Sequence, residues 1–456
     1  MDVTSEMLNK YNVSAPRYTS YPAIPFWKPA DGTQAAAWIA AMEPARQTSL
    51  SLYTHIPFCK TRCYYCGCFV VISPHEEIAQ PYADALEKEM ELAAGQMKHR
   101  WPVAQYHLGG GTPNYLNIAR MERLVAKARA LFPFQDDAEM SIEVDPRTLN
   151  KNYLERVRAL GFNRLSLGVQ DFDPEVMETV NRVQPYDMVA GVVEQARKLG
   201  FLSVNFDLIY GLPKQTTATF QKTMAQVKTL GPDRVALYHY AHLPDSHPYH
   251  RRFDPADLPG SQEKMDIFLQ ARERFLSWGY QPIGLDHFAK PDDDLSVSFR
   301  NRSMRRNFMG YTTKAGTDML AFGISAISDF NHAFWQNEKK LPHYYKALEK
   351  GELPVIRGLE LSGDDRLRRQ VIQNLFCQGG VNFGQMEQAY QIPFQSHFAG
   401  ELEALAPLQD DGLVTLSPEG ITVTDQGQLF LRNIAMTFDA YLRKGSKPPV
   451  QFSRTA

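Results

Sequence analysis

The sequence lacks the features that mark several common classes of protein. It contains no apolar run of about 18 residues, so we expect no membrane-spanning helix. Its 49 basic and 51 acidic residues give a formal net charge of −2, which argues against general binding to nucleic acid or to a membrane surface. The first residues lack the basic and apolar regions of a secretory signal peptide, so we expect a cytoplasmic protein.

Cysteine is also scarce, but its distribution is informative. Five cysteines occur in 456 residues, and four of them lie within ten residues, at Cys59, Cys63, Cys66 and Cys68. In a reducing compartment, such a group more often binds a metal or takes part in catalysis than forms disulfides. The fifth, Cys377, stands alone, and we expect it to be a buried side chain of the core.

From residue 50 onward, short runs of β-branched and aromatic residues alternate with longer stretches of helical period. The runs predict strands at residues 50–58, 104–108, 139–144, 164–169, 203–209, 234–240 and 281–285. Helices are expected between them, and four of these helices are followed by a glycine, which favours the positive φ of a helix end: Gly161, Gly200, Gly231 and Gly279. Six or seven such units predict an α/β fold whose parallel sheet curls into a whole or partial barrel. Ligands of such folds bind at the C-terminal ends of the strands.

The two ends of the chain differ from this pattern. Residues 1–45 hold two prolines around an arginine and two tyrosines, between Pro16 and Pro22, which predicts an extended segment. From about residue 361, helical stretches are followed by a hairpin with its turn at 417–420, an order that resembles a winged helix. The chain from Glu360 onward holds 11 acidic and 8 basic residues, a net charge of −3, which opposes DNA binding and favours a structural or lid role.

The spacing of the first three cysteines indicates the kind of centre they form. Cys59, Cys63 and Cys66 make a C-x3-C-x2-C motif directly after the first predicted strand. A structural zinc site needs four ligands, usually in two distant pairs, and no second pair follows here. Three closely spaced thiolates suit an iron–sulfur cluster better, because its irons need not share one point. Such a cluster would keep one iron open for chemistry, whereas zinc and a disulfide remain the alternatives.

With these motifs, the sequence resembles the radical S-adenosylmethionine (SAM) superfamily. The resemblance rests on the cysteine motif, on Tyr65 before the third cysteine, and on the glycine-rich turn 109–113 after the second strand. More narrowly, the chain is similar to the oxygen-independent coproporphyrinogen III oxidases. The matching segments extend over nearly the whole chain, at residues 16–22, 52–59, 63–68, 141–146, 166–171, 181–182, 207–213, 240–243 and 323–328. Haem-binding relatives usually lack the fourth cysteine, here Cys68, and the segment 16–22.

The resemblance implies a chain of four parts. Residues 1–45 would be an extended N-terminal segment that closes over the active site, and residues 46–300 a partial (βα)6 radical SAM barrel. Residues 301–360 would be a connecting region that completes the cofactor site, and residues 361–456 a mainly helical, winged-helix-like domain.

The resemblance also implies an enzyme of haem biosynthesis, which removes CO2 and hydrogen from two propionates of coproporphyrinogen III to give protoporphyrinogen IX. Its cofactors would be a [4Fe–4S] cluster and two SAM molecules, and a SAM-derived 5′-deoxyadenosyl radical would abstract the hydrogen. A small reductase or a flavodoxin-type protein would donate the electron, and the near-balanced charge favours a monomer. A haem-carrying relative and a zinc-stabilised DNA-binding protein are the alternatives.

Individual residues follow from the same resemblance. Cys59, Cys63 and Cys66 would bind the cluster, and Cys68 would be needed for activity without being a ligand. The first SAM would contact Tyr53, Tyr65, Gly110 and Glu143. The second SAM would contact Gly111, Thr112, Gln170, Arg182, Asp207, Ala241 and Ile327. Without the resemblance, Tyr53, Ala241 and Ile327 would be assigned to the core.

The substrate carries four carboxylates although the protein is slightly acidic, so basic residues must be placed locally. We expect Arg17, between Pro16 and Tyr18, to fold over the barrel mouth and pair with a propionate. An exposed arginine in a linker is the alternative interpretation.

Overall fold

The computed structural model describes residues 4–42, 49–443 and 452–454, and its main element is a 13-stranded sheet. Six parallel strands lie side by side in chain order: β1 (Leu50–Ile56), β2 (Val103–Gly110), β3 (Phe134–Val144), β4 (Arg164–Gln170), β5 (Ser203–Tyr210) and β6 (Arg234–His239). Each of these strands was predicted from the sequence, although β3 begins earlier than expected. The α/β class with a partial parallel barrel is therefore confirmed.

The helices between these strands pack on the sheet in one apolar core. They are α1 (Ala79–Gln96), α2 (Ile118–Leu131), α3 (Tyr153–Ala159), α4 (Tyr186–Lys198), α5 (Thr217–Leu230) and α6 (Ser261–Ser277), with a short helix at Pro174–Thr179. The side chains of Asn117 and Thr216 accept hydrogen bonds from the first turns of α2 and α5 and so begin these helices. The four glycines predicted to end helices all have positive φ, between 56° and 104°.

The sheet continues on both sides of the six strands. Beside β1 lies a seventh parallel strand, β7 (Asp318–Phe322), and beyond it lie the antiparallel strands Ile327–Asp329, Ala333–Asn337, Val355–Glu360 and Lys28–Pro29. Beside β6 lie His287–Ala289 and Gln281–Ile283, which pair as a hairpin. The strand predicted at 281–285 is thus an outer hairpin arm, since three linking residues are too few for the crossover of a parallel pair. Further elements are the helices Asp294–Arg300 and Leu341–Glu349 and the hairpin of Arg305–Asn307 with Gly310–Thr312.

The N-terminal segment is extended only in its middle. Helices at Ser5–Tyr11 and Gly32–Ala40 flank it, and the second is started by the carboxylate of Asp31. Between them, the segment 12–23 contains no regular helix, and Tyr18 there has a φ of 49°. The two helices were not predicted, because each is short and the first has little apolar periodicity.

The C-terminal residues form helices around a small sheet. The helices are Gly363–Gln378, Phe383–Tyr390, Phe394–His397, Ala399–Ala404, Ala406–Asp410, Leu431–Met436 and Ala440–Arg443. The sheet consists of Gly380–Asn382, Gly420–Val423 and Val414–Ser417, and its hairpin turns where the sequence predicted, with Ser417 opposite Gly420. The likeness to a winged helix and the boundaries after residues 45, 300 and 360 remain predictions.

A second apolar core joins the two ends of the chain. Leu8, Tyr18 and Tyr21 pack with the C-terminal helices, and the hydroxyl of Tyr18 donates to Asp439 Oδ2 at 3.0 Å. Cys377 is buried in this core, as predicted. Ser14 pairs with Arg454 in an isolated antiparallel bridge. Across the described residues, the structure holds no helix long and apolar enough to cross a membrane.

Candidate active site

A cavity of about 780 Å³ opens on the parallel strands. Alternate residues of β2–β6 line it, because successive side chains of a strand face opposite sides. The loops after these strands add most of the predicted site residues. Lining residues include Arg17, Cys59, Cys63, Tyr65, Cys66, Cys68, Gly110, Gly111, Thr112, Glu143, Gln170, Arg182, Asp207 and Ala241. The structure thus brings together all the predicted site residues except Tyr53 and Ile327.

The cysteines lie on a loop that is closed at its base. Phe58–Cys59 pairs in parallel with Val71–Ile72, so the residues between these two short strands form a single loop over the cavity. Within the loop, the amide of Cys66 donates to the carbonyl oxygen of Cys63 at 3.2 Å. Cys63 is buried, whereas Cys68 is exposed.

Positive charges surround the sulfur of Cys63. Arg182 Nη1 and Arg147 Nη2 donate to Cys63 Sγ at 3.5 and 3.6 Å. Cys59 Sγ lies 3.3 Å from the hydroxyl of Thr112. A hydrogen bond from Cys68 lowers the pKa of the Cys66 thiol to about 7. These hydrogen bonds stabilise negative charge on sulfur, the form that binds metal, whereas burial raises the pKa of the Cys59 thiol to about 12 despite its contact with Thr112.

This donor set fits an iron–sulfur cluster. Three cysteines line one cavity, and cationic donors compensate the charge that thiolates bring. Among the described side chains, no three metal-binding groups converge on a point that a single ion would occupy. A cluster does not require such convergence, because each cysteine binds a different iron.

The glycine turn after β2 leaves no room for side chains. A Cβ at Gly110 would lie 2.7 Å from the His55 ring, and φ there is 119°. A Cβ at Gly111 would lie 2.6 Å from the carbonyl oxygen of Pro57. Glycine therefore allows the turn to lie closely against the end of β1 and the residues that lead into the cysteine loop.

Glu143 connects this turn to the barrel interior. Its Oε2 accepts a hydrogen bond from the amide of Gly110 at 3.1 Å, and its Oε1 lies 3.3 Å from His107 Nε2. Tyr53 does not line the cavity: its ring stacks on that of His107, with centroids 5.8 Å apart. Its hydroxyl lies 3.0 Å from His55 Nδ1. Tyr53 therefore supports a cavity residue, and its contact with SAM remains a prediction.

Arg182 lies in a buried ionic group with Asp145 and Arg147. Arg182 Nη2 donates to the carbonyl oxygen of Gly168 at 2.6 Å, and Arg147 Nη2 lies 2.7 Å from Asp145 Oδ2. Burial alone would raise the pKa of the Asp145 carboxyl, but the charges of Arg182 and Arg147 lower it below its ordinary value. Arg182 Nε is buried and has no hydrogen-bond partner among the described residues, so this guanidinium can still bind an anion.

Asp207 and Gln170 follow on the neighbouring strands. Ser166 Oγ and Asn205 Nδ2 each donate to the Asp207 carboxylate at 3.0 Å. Burial and then the charge of Glu143 raise the pKa of Asp207 to about 6. Gln170 has a φ of 67°, in the left-handed region. Two acceptors and an amide at this position suit hydroxyl and amine groups of a nucleoside.

Ile327 lies away from this cavity. It packs against Trp27, Phe334 and Leu361 in a separate apolar cluster. Its role in SAM binding therefore remains a prediction.

Sequence reasoning missed several cavity residues. Asp145, Arg147 and His107 were not assigned, although Asp145 lies in one of the matching segments. A carboxylate and an arginine two residues apart at a strand end were the available signal.

Comparisons with known proteins agree with this geometry. Residues 53–227 match the radical SAM superfamily, and residues 361–430 match the HemN C-terminal domain. The chain is 46% identical over 449 residues to the oxygen-independent coproporphyrinogen III oxidase of Salmonella typhimurium, covering 98% of this chain and 97% of that protein. The chain belongs to this family. The corresponding Escherichia coli enzyme is 45% identical over 448 residues, with the same coverage.

A solved structure supports the same family. Coproporphyrinogen III oxidase (HemN) from Escherichia coli, described as a radical SAM enzyme, superposes with a TM-score of 0.91 at 43% identity. The match covers 97% of this chain and 99% of that one. This chain is therefore a radical SAM oxidoreductase, and the family implies a [4Fe–4S] cluster and SAM.

Proposed function

We propose that this chain catalyses the anaerobic oxidative decarboxylation of coproporphyrinogen III to protoporphyrinogen IX. The observation that carries the proposal is the common cavity of Cys59, Cys63, Cys66, the glycine turn and Arg182, within a chain similar to such enzymes along its whole length. The test is anaerobic incubation of the reconstituted protein with coproporphyrinogen III, SAM and a reductant. We expect a divinyl product; stable haem binding without product would favour a haem-carrying relative instead.

Cys59, Cys63 and Cys66 would hold the cluster. When bound, the cluster supplies the electron that cleaves SAM and so generates the radical that removes hydrogen from a propionate. The protein's own residues orient the partners and exclude water. Gly110 and Gly111 allow the backbone to approach SAM, Glu143 offers a carboxylate, and Tyr65 presents a ring for the adenine.

Two SAM molecules are part of this proposal. Glu143 and Gly110 form one group of polar contacts, and Arg182, Gln170 and Asp207 form another along the same cavity. The free Nε of Arg182 suits the carboxylate of a second methionine. Equilibrium binding to the cluster-loaded protein should give two SAM per chain; one per chain would contradict the assignment.

Arg17 is proposed to pair with a substrate propionate. Its side chain is exposed, lines the cavity, and donates from Nη2 to the carbonyl oxygen of His239 at 3.5 Å. Burial, and then the positive charges of Lys264, Arg17 and Arg432, lower the pKa of His239 to about 3. Positively charged side chains near His239 would attract a substrate that carries four carboxylates.

Replacing Arg17 tests this pairing. Arg17→Ala should raise the KM for the porphyrinogen about tenfold, because a charge-assisted hydrogen bond is lost. Cluster content and SAM cleavage should not change. Arg158→Ala, at a half-buried arginine that does not line the cavity, is the control, and an unchanged KM in Arg17→Ala would remove the assignment.

The last part of the proposal concerns the oligomeric state, the electron donor and other partners of the chain. We propose a cytoplasmic monomer that takes its electron from a small reductase or flavodoxin-type protein and binds neither nucleic acid nor membranes. The slight net negative charge supports the last point. Light scattering tests the monomer, and reduction of the cluster by purified flavodoxin tests the donor.

A further inference from the structure

One wall of the cavity carries a histidine–aspartate pair outside the motifs already assigned. His287 begins the strand His287–Ala289, which pairs with β6, and its side chain is 14% exposed and lines the cavity. His287 Nδ1 lies 2.7 Å from Asp286 Oδ1. Nδ1 therefore donates to the carboxylate, while Nε2 makes no hydrogen bond within the described parts of the chain.

The surrounding backbone holds this pair in place. Leu237 N donates to the carbonyl oxygen of Asp286 at 2.7 Å, and Leu285 N donates to the hydroxyl of Tyr311 at 3.0 Å. Gly284, with a φ of 57°, allows this turn, since a Cβ there would lie 1.9 Å from the Tyr311 hydroxyl. The turn from Gly284 to His287 is thus fixed on both sides.

Two tyrosine rings orient the imidazole. Tyr238 and Tyr311 meet it edge-on, with centroid distances of 5.8 and 5.1 Å. A side chain confined by two rings and one hydrogen bond loses little conformational entropy when it binds a ligand. The His287 imidazole is therefore held in one orientation.

Positive charges surround the Asp286 carboxyl. Burial alone would raise the pKa of the Asp286 carboxyl, but His287, Arg306 and Arg17 together lower it, so the carboxyl stays ionised. With Nδ1 donating to Asp286, Nε2 donates to a bound carboxylate when both ring nitrogens carry a proton. The Arg306 guanidinium lies 5.3 Å from the centroid of the Tyr311 ring, which itself lines the cavity.

We propose that His287, oriented by Asp286, binds a propionate carboxylate of the substrate through Nε2. The inference rests on the proposed function and adds a substrate-contacting residue to it. A carboxylate could come from a propionate or from the methionine part of SAM, and we assign it to the propionate. Arg182 already offers an unpaired donor for methionine, whereas Arg17 and Arg306 add positive charge beside the His287–Asp286 pair, with Asp207 as a further carboxylate near His287.

The primary test is His287→Gln, which keeps a polar side chain of similar size but removes the charge. We expect the KM for coproporphyrinogen III to rise about ten- to a hundredfold, as for loss of a charge-assisted hydrogen bond. The KM for SAM, the iron content and SAM cleavage without porphyrinogen should stay within twofold. His343→Gln, on an exposed histidine of Leu341–Glu349, is the matched control.

Asp286 is tested as a positioning residue. Asp286→Asn keeps the shape but removes the charge, so it should raise the KM for the porphyrinogen about three- to tenfold with little change in kcat. Asp286→Glu should restore part of the loss. A merely structural role would instead lower the thermal midpoint and kcat together.

The outcomes separate this inference from the proposed function. If the unaltered protein makes no divinyl product, the proposed function fails. If it makes product and His287→Gln leaves the porphyrinogen KM unchanged, or raises the KM for SAM instead, the inference about His287 is overturned alone. Should His287→Gln lose iron, the Asp286→Asn and Asp286→Glu pair decides the question by the same KM measurements.

Discussion

The four thiols of the cysteine loop differ in how far they are exposed. Cys68 lies two residues beyond Cys66 and hydrogen-bonds to it, yet it is the one exposed member of the four. Cys68 lines the cavity as an exposed thiol, and its hydrogen bond to Cys66 raises its pKa, so it can contact bound groups as a neutral thiol without being needed to hold iron.

Cys68→Ser should therefore keep its cluster and lose its activity. Iron and sulfide per chain should match the unaltered protein, while formation of the divinyl product falls at least a hundredfold. Cys59→Ser is the comparison, because it removes an assigned ligand and should lose iron. Loss of iron from Cys68→Ser would make Cys68 a ligand instead.

A second prediction for a single residue concerns Gly110 in the glycine turn. Gly110→Ala places a Cβ against the His55 ring at a φ of 119°, so the free energy of unfolding should fall by about 1–3 kcal/mol. SAM affinity should fall with it, measured by equilibrium binding. Gly191→Ala in α4 is the control, because a Cβ there meets nothing within 4 Å and should stabilise the helix by about 0.5–1 kcal/mol. Equal effects of the two changes would contradict this account.

At the scale of elements, the buried carboxyl of Glu89 in α1 forms hydrogen bonds to residues of β7's loop and of the antiparallel part of the sheet. Glu89 accepts hydrogen bonds from Tyr344 at 2.6 Å and from the amide of Gly323 at 2.8 Å, and a third from Asn337. Burial raises its pKa to about 7, despite these donors. Gly323 directly follows β7, so Glu89 links α1 to the segment that leads to Ile327.

This carboxyl should make stability depend on pH. Because its folded pKa lies above the ordinary value of 4.5, the folded protein binds the proton more tightly. The associated stability is complete below about pH 4.5 and is lost as the pH rises to about 7, a change on the order of 1–3 kcal/mol. Denaturant midpoints from pH 4.5 to 8 should show a smaller slope in Glu89→Gln than in the unaltered protein, because burial also raises the pKa of Asp207 to about 6 and of Asp318 to about 7, and these carboxyls contribute to the slope in both proteins. Glu91→Gln, on the same helix but exposed, should keep the slope of the unaltered protein.

Elements also show what the sequence could and could not predict. The ends of α3 and α4 were readable because Gly161 and Gly200 take conformations that other residues avoid. The pairing of β7 with β1 could not be predicted, because more than 250 residues separate the two strands and no local sequence pattern indicates the contact. The same limit applies within the site: the cysteine spacing predicted the cluster loop, but the approach of Arg147 to Cys63 depends on how two loops meet.

At the scale of the whole molecule, Arg432 fastens both chain ends to the C-terminal helices. It donates to the carbonyl oxygens of Ala15 and Pro16 and to those of Ser453 and Arg454. Phe452, Ser453 and Arg17 line the cavity, so this one guanidinium helps to shape the site although it does not line it. Its partners are carbonyl groups, which would be left unsatisfied without it.

Arg432→Met should loosen this assembly. Loss of several buried hydrogen bonds should cost about 2–4 kcal/mol, and segment 12–23 should become accessible to limited proteolysis. The porphyrinogen KM should rise while iron content is unchanged. Arg158→Met, which loses a single hydrogen bond to Gly200, is the control. Unaltered proteolysis of Arg432→Met would show that the apolar contacts alone hold the segment.

Because Ser14 pairs with Arg454, this part of the cavity wall cannot form until residue 454 has been synthesised. The cysteine loop and β1–β6 leave the ribosome much earlier. At about 5–20 residues per second, the interval is tens of seconds, roughly 10–80 s. A nascent chain therefore presents its thiols in a cavity whose wall is incomplete, so iron and oxygen both have more open access to them than in the finished fold.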